Sequence, residues 1–410
     1  MMPMLKVAYR GLGRNRRRTL LSALALGAGL ALLLLMAAFV EGEMRSSLEL
    51  GIRLESGHLQ VRARDYDATK ASLAWDDLVD TPFAIAAQIE TLPPVRAASP
   101  RLYVSGIMLA GDETLGVRIV GLDPNAGTSG VYRDGLRGGD WLAAGDREGV
   151  LIGQSLALKR GLHVGDRIAL LVNTASGAVD QQAFVIRGLY STNTPTYDQA
   201  NVLMPLAKAQ AISQTGDRAS VVWVQLDDMF RADAVAAALT SAQYEVKTWK
   251  QMNALLLSME EYASAMMAVF YLIVLGITAT VVVNAMVMAV FERTREIGVL
   301  AALGMKGRRI MALFLLESFL LALIGVVIGL LLGGVAVYWI STRGVYIGSL
   351  TADMGVTNMM LGERLYGYLT LRDAVALVIA ALVVTMLGAL YPAALAARME
   401  PVQSLHGGEA

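Results

Sequence analysis

The chain has 410 residues, 55% of them hydrophobic, and its 35 basic and 35 acidic residues cancel to a formal net charge of zero, so no global field argues for a nucleic-acid partner. It has no cysteine and three scattered histidines, His58, His163 and His406, which excludes a disulfide framework, a thiolate metal site and a paired histidine ligand set. No Gly-x-x-x-x-Gly-Lys-Ser/Thr stretch occurs, and Gly153-Gln154-Ser155-Leu156-Ala157 falls one glycine short of a nucleophile elbow, so no catalytic, cofactor-binding or metal-binding residue is assigned and the chain is not read as an enzyme.

Residues 1–18 form a basic amino terminus containing Lys6, Arg10, Arg14, Arg16, Arg17 and Arg18. Four uncharged runs follow, at residues 19–40, 262–291, 318–342 and 374–397, each long enough for the ~20 apolar residues that a helix rising 1.5 Å per residue needs to cross a bilayer core. Backbone amides in hydrocarbon must be bonded within their own segment, so each run predicts a helix, and four crossings return both termini to one side. Residues 292–309 carry Arg293, Arg295, Lys306, Arg308 and Arg309, while the longer segment 343–373 offers only Arg343, Arg364 and Arg372. Positive charge resists translocation, so the termini are expected in the cytoplasm and residues 41–261 outside it, in the periplasm of a bacterial cell. The first run has 22 residues, longer than a usual signal core, and is read as an uncleaved anchor.

The expected organisation is a membrane α-helical protein with four transmembrane helices and a large mixed α/β periplasmic domain inserted between helices 1 and 2. The first helix and a stalk take residues 19–54, the periplasmic domain residues 55–248, and a second stalk with its helix residues 249–291. A cytoplasmic segment at 292–309, a third helix at 310–342, a periplasmic loop at 343–373, a fourth helix at 374–397 and a cytoplasmic tail at 398–410 complete the chain. Both stalk segments are rich in helix formers, where a flexible linker is usually rich in Gly, Ser and Pro.

Within the outer domain, residues 56–64 alternate apolar and polar with period two, the pattern of a half-buried strand. Residues 82–92 show helical spacing behind an initial proline. From 95 to 187 come strand-like runs at 117–120, 149–152, 167–172 and 183–186 around a turn-rich centre at 121–145, which reads as a β-rich insert. Helical stretches at 205–213 and 231–239 then alternate with strands at 221–226 and 244–247. That is a βαβ-like frame around the insert.

Two motifs on the cytoplasmic side narrow the function. Residues 292–304 start with a cluster of charge, and their apolar positions at 297, 300, 301 and 303 form one face of a short helix at the membrane surface; the plainer reading is a charged flank that stops translocation. In residues 391–401, Pro392 interrupts the last span near its end, which by itself signals no more than a packing kink.

Together and in this order the two motifs resemble the permease superfamily that includes the FtsX-like, lipoprotein-releasing and macrolide-exporting subunits of bacterial ABC transporters. Residues 10–21, 150–157 and 162–166 are similar to the family's basic amino terminus and β-rich insert. Within the superfamily, residues 57–62, 226–233 and 247–249 look like stretches placed in the same order in the lipoprotein-releasing branch. The resemblance implies that Thr294, Arg295, Glu296, Ile297, Gly298, Leu300 and Gly304 belong to a coupling helix that meets a cytoplasmic ABC ATPase dimer, and that ATP and Mg are bound by that partner rather than by this chain. It also implies a second permease copy or paralogue. One departure stands out. Between the expected strands only residues 173–182 remain, shorter than the hook of the branch's chaperone-contacting member.

Other residues are candidates on physical grounds. Gly325, Gly329 and Gly333 recur every four residues in the third span and permit close helix packing, within the chain or across a dimer seam. Glu317, near the cytoplasmic start of that span, is read as a polar anchor reaching water, with a coupling role as the alternative. Met252, Met259, Met266 and Met267 are spaced by seven, seven and one; Met259, Met266 and Met267 mark a candidate cargo entry, since flexible thioethers suit acyl chains as well as ordinary packing. The expected function is that of a permease subunit in the bacterial inner membrane that transmits ATP-driven motion to its periplasmic domain and extracts or moves lipoprotein or lipid-like cargo. The alternatives are an amphiphile or peptide exporter with an outer-membrane duct, and an FtsX-like regulator of a cell-wall hydrolase.

Overall fold

A computed structural model describes residues 16–67, 70, 73–111, 113–239, 243–347 and 362–399. Expectations for residues 1–15, for the centre of the 343–373 loop and for the tail beyond 399 lie outside these. The chain divides into two compact units. One runs up to Met44, resumes over Glu260–Val345 and continues from Tyr366; the other comprises Arg45–Met259 with Tyr346–Leu365.

Among the described residues, four helices are long and apolar enough to cross a membrane. They are Arg16–Gly51, Ala254–Glu292, Gly307–Arg343 and Leu371–Ala397, with a mean hydropathy of 2.5 to 2.8 in their most apolar stretches. Each is longer than its uncharged run, because backbone hydrogen bonding continues through the flanking charges: Arg16, Arg17 and Arg18, the first described residues, are already helical. That helix runs unbroken to Gly51 and then widens into a π turn, Ile52–Ser56, closed where the Gly57 amide donates to the Ile52 carbonyl at 2.8 Å. The second long helix does not start at 249 as expected. A separate turn, Trp249–Met252, comes first, with the Thr248 amide donating to Gln251 Oε1 at 3.1 Å. Asn253 breaks it: the side-chain amide donates to the Trp249 carbonyl at 2.8 Å, ending the turn before Ala254.

Among the described residues, the second unit is built on a sheet of ten strands. These are β1 (Leu59–Ala63), β2 (Val95–Ala110), β3 (Glu113–Leu122), β4 (Leu136–Gly139), β5 (Gly149–Gly153), β6 (Arg167–Asn173), β7 (Val179–Tyr190), β8 (Asn201–Pro205), β9 (Val221–Leu226) and β10 (Tyr244–Thr248). The strands β10-β1-β9-β2 lie side by side, all neighbours antiparallel. Helix Pro82–Glu90 joins β1 to β2 and helix Ala232–Ala238 joins β9 to β10, so two split βαβ units interleave. A second set closes on itself: β2 pairs β3, β3 pairs β8, β8 pairs β5, β5 pairs β7, β7 pairs β6, and β6 returns to β2. Its interior holds Leu102, Val104, Ile119, Ile152, Phe184 and Val202, and closure leaves these six strands no free edge.

The expected insert at 95–187 is therefore drawn too narrowly. β2 is one strand of 16 residues, pairing β9 through its first half and β3 through its second, and the closed set extends to β8 and helix Leu206–Ser213. The turn-rich centre contains the short helix Gly130–Asp134 and strand β4. The loop expected at 173–182 is a hairpin turning within residues 174–178, because β6 and β7 pair as far as Asn173 and Val179.

Candidate coupling helix and helix-packing site

The second long helix stops at Glu292, and Thr294–Ala302 forms a new helix. Arg293 stands between them at φ −111° and ψ 17°. Thr294 Oγ1 donates back to the Phe291 carbonyl at 2.7 Å and closes the corner. Ile297 and Gly298 are buried, Thr294 and Leu300 are half-buried, and Arg295, Glu296, Val299 and Leu303 are exposed, Leu303 at 79%. One side of the helix is thus packed, and the other presents both charges with two apolar side chains. Gly304 sits at φ +86°, where a side chain is disfavoured. Its amide donates to the Ala301 carbonyl and the Met305 amide to the Leu300 carbonyl, both at 3.0 Å. This pair of bonds is a Schellman end, so Gly304 terminates the helix.

The two charges before this helix are tied elsewhere. Arg18 Nη1 of the first long helix donates to Glu292 Oε2 at 2.5 Å. Arg293 Nη1 donates to both carboxylate oxygens of Glu317, at 3.1 and 3.0 Å, and both residues are buried, Glu317 to 4% exposure. The reading of Glu317 as an anchor reaching water is corrected. The hydrophobic pattern placed it near the interface but carried no information on which cation lies opposite.

Gly325, Gly329 and Gly333 face the first long helix. A Cβ on Gly325 would lie 2.5 Å from Leu26 Cδ2, one on Gly329 2.8 Å from Leu30 Cβ, and one on Gly333 2.9 Å from Leu34 Cδ1. The matched steps of four show the first and third long helices running parallel. Gly27 answers from the other side, its own Cβ position 3.0 Å from the Gly325 carbonyl. Met266 is 68% exposed, Met259 is also exposed and Met267 half-buried; Met252, in the turn before Asn253, is half-buried in the second unit.

A cluster in the second unit had no counterpart in the sequence reading. Arg101, fully buried, donates from Nη1 to the Leu54 carbonyl at 3.3 Å and from Nη2 to the Thr128 carbonyl at 3.0 Å. Arg118 pairs with Glu55, and Gln60 Nε2 donates to the Glu55 carbonyl at 2.8 Å. Tyr132 and Tyr197 share a hydroxyl hydrogen bond of 2.6 Å, and burial pushes both phenols up. The π turn at the end of the first long helix is thus gripped from several strands. Beside it a cleft of about 580 Å³ is lined by Ile52, Arg53, His58, Trp223 and Met229. His58 Nδ1 accepts the Leu226 amide at 2.9 Å, and desolvation holds its pKa below the usual histidine value.

Residues 19–242 match the MacB-like periplasmic core domain and residues 268–401 the FtsX-like permease C-terminal domain. The first match alone spans more than half of the chain, and the chain belongs to this family of ABC-transporter permeases. It is 28% identical over 333 residues to the lipoprotein-releasing system transmembrane protein LolC of Xylella fastidiosa, covering 77% of this chain and 78% of that protein. Identity to the lipoprotein-releasing system transmembrane protein LolE of Haemophilus influenzae is 22% over 334 residues, covering 78% and 79%. The macrolide export ATP-binding/permease protein MacB of Nitrobacter winogradskyi is 27% identical over an aligned length of 435, covering 98% of this chain and 60% of that protein.

Proposed function

We propose that the chain is the permease subunit of a bacterial inner-membrane ABC transporter, with both termini cytoplasmic and the β-rich unit in the periplasm, that transmits ATP-driven motion to lipoprotein or lipid-like cargo. The observation that carries this reading is the helix Thr294–Ala302, whose exposed side offers Arg295, Glu296, Val299 and Leu303 at a corner tied by ion pairs to the first and third long helices. ATP and Mg are bound by a cytoplasmic ATPase dimer seated on that side. A second permease copy or paralogue completes the membrane part. The chain supplies two continuous helices, Arg16–Gly51 and Ala254–Glu292, each of which runs through a boundary between the two units.

Cargo enters beside Met266 and Met267. Burial of acyl chains is worth ~0.8 kcal/mol per CH₂, so an apolar helix face can hold a lipid anchor without a charged ligand motif. Similar coverage of this chain and of the lipoprotein-releasing relatives supports that cargo class. The short β6–β7 hairpin argues that any hand-over to a carrier uses another surface or another subunit. Export of small amphiphiles is the second reading, favoured by the match covering 98% of the chain to a macrolide exporter.

The purified chain is expected to hydrolyse no ATP, and photo-crosslinkers at Met266 and Met267 to capture lipoprotein or lipid in cells in a manner altered by ATP-site mutation of the partner. Capture of neighbouring transporter helices alone would count against a lipid-like cargo. Orientation is tested with single cysteines, since the chain has none: the exposed Ser176→Cys should react with an impermeant thiol reagent in spheroplasts. The exposed Lys306→Cys should be shielded, and labelling at Lys306 reverses the topology.

A further inference from the structure

We infer that Glu292 and Arg293 form a charged junction that fixes the coupling helix to the first and third long helices, with Arg293–Glu317 as the positioning pair. This rests on the coupling role proposed for residues 294–304. The second long helix ends at Glu292 and Arg293 stands at the non-helical corner that follows, so the two adjacent charges reach two different neighbours. Glu292 takes Arg18 of the first long helix, and Arg293 takes Glu317 of the third.

The two contacts differ in weight. The side chains of Arg18 and Glu292 are 24% and 37% exposed, those of Arg293 and Glu317 only 10% and 5%. Solvent-screened pairs contribute little, whereas loss of one partner from a buried pair strands a charge in a poorly solvated place. A cation needed only to stop translocation has no use for a buried carboxylate that it meets through both oxygens. Arg293 is also part of the coupling helix through its backbone, because the Ile297 amide donates to the Arg293 carbonyl at 2.9 Å. Displacement of the helix start therefore moves the guanidinium, and with it the third long helix at Glu317.

The test uses the full chain in lipid nanodiscs with its ATPase subunit. Glu317→Gln should bind the ATPase within about twofold of wild type while permease-dependent ATP turnover falls about tenfold, a size usual for coupling between sites. Arg293→Lys should retain part of the turnover, and the reversal Arg293→Glu with Glu317→Arg should recover more than either single change. A spin-label pair at Leu303→Cys and Leu331→Cys reads the junction without any ATPase. Its distance distribution should broaden in Glu317→Gln and narrow again in the reversal. Wild-type chain that binds no ATPase overturns the coupling role, with the label pair still reporting on the junction. Wild-type turnover and an unchanged distance distribution in Glu317→Gln overturn the junction itself.

Discussion

The Arg101 guanidinium carbon lies 4.1 Å from the centre of the Trp223 ring, and the same group holds the Leu54 and Thr128 carbonyls. One buried cation thereby ties the π turn after the first long helix to β9 and to the turn containing Thr128. Arg101→Ala leaves both carbonyls without this donor and opens the face of the indole. A loss on the order of 3 kcal/mol is expected, since hydrogen bonds to charged groups contribute more than neutral ones. Thermal unfolding followed by tryptophan fluorescence measures it, with Arg101→Lys intermediate because an ammonium lacks the planar fork. An unchanged midpoint in Arg101→Ala would mean that the turn is held by its other contacts.

Gly329 offers a packing test inside the membrane-helix unit. A side chain there meets Leu30 Cβ at 2.8 Å and the Gly27 carbonyl at 2.9 Å, and overpacking of this kind costs about 1–3 kcal/mol. Gly329→Leu should lower the melting temperature of the detergent-solubilised chain, whereas Leu331→Ile, at an exposed position of the same helix, should change little. Equal effects of the two substitutions would place the glycine face outside the helix contact.

The proposed coupling helix can be broken in two ways of different severity. Gly298→Pro, in the buried middle of Thr294–Ala302, removes a backbone donor and costs about 3 kcal/mol. Gly304→Ala forces a side chain into the left-handed region at φ +86° at a cost of about 1 kcal/mol. Transport is expected to be abolished by the first and reduced by the second, with the circular dichroism of the β-rich unit unchanged in both. Full transport by Gly298→Pro would remove the helix from the coupling path.

How much of this was legible follows from what sequence patterns encode. The four long helices could be read because hydrocarbon forces self-bonded, uncharged segments of fixed minimum length. The glycines of the third span could be read because only a missing side chain permits backbone approach, although their partner, the Leu26-Leu30-Leu34 face, could not. β2 was not read as a strand at all, although its residues fell within the expected β-rich insert. Ser99, Pro100 and Arg101 break the apolar pattern in the middle of that strand, and it is their burial against Thr128 and Trp223 that makes the break tolerable. A charge in the buried phase of a strand was the one available signal for the Arg101 cluster. Glu317 shows the limit from the other side, since pairing with Arg293 spans 24 residues and no local period records it.

Asp198 gives the β-rich unit a pH dependence that can be isolated. Its carboxylate accepts the Thr192 amide at 3.1 Å, the Thr192 hydroxyl at 2.7 Å and the Ser191 hydroxyl at 3.2 Å, shaping a loop in which Asn193 adopts φ +59°. Burial nevertheless pushes the carboxyl up to about 6; the bonds from Thr192 and Ser191 oppose that shift, and the charge of Glu363 adds to it. The folded state therefore binds the proton more tightly than the unfolded state, whose aspartate titrates near 3.8. Stability from this group is fully present below the unfolded value and is lost as pH rises through about 6, a span of about 3 kcal/mol at 1.36 kcal/mol per unit. Asp198→Asn keeps an acceptor for Thr192 and removes the titration. Between about pH 7 and about pH 5, wild type should gain stability relative to Asp198→Asn, read from denaturant midpoints of the fluorescence transition. Parallel pH profiles for the two proteins would show that burial does not raise the Asp198 carboxyl and would overturn this pH dependence.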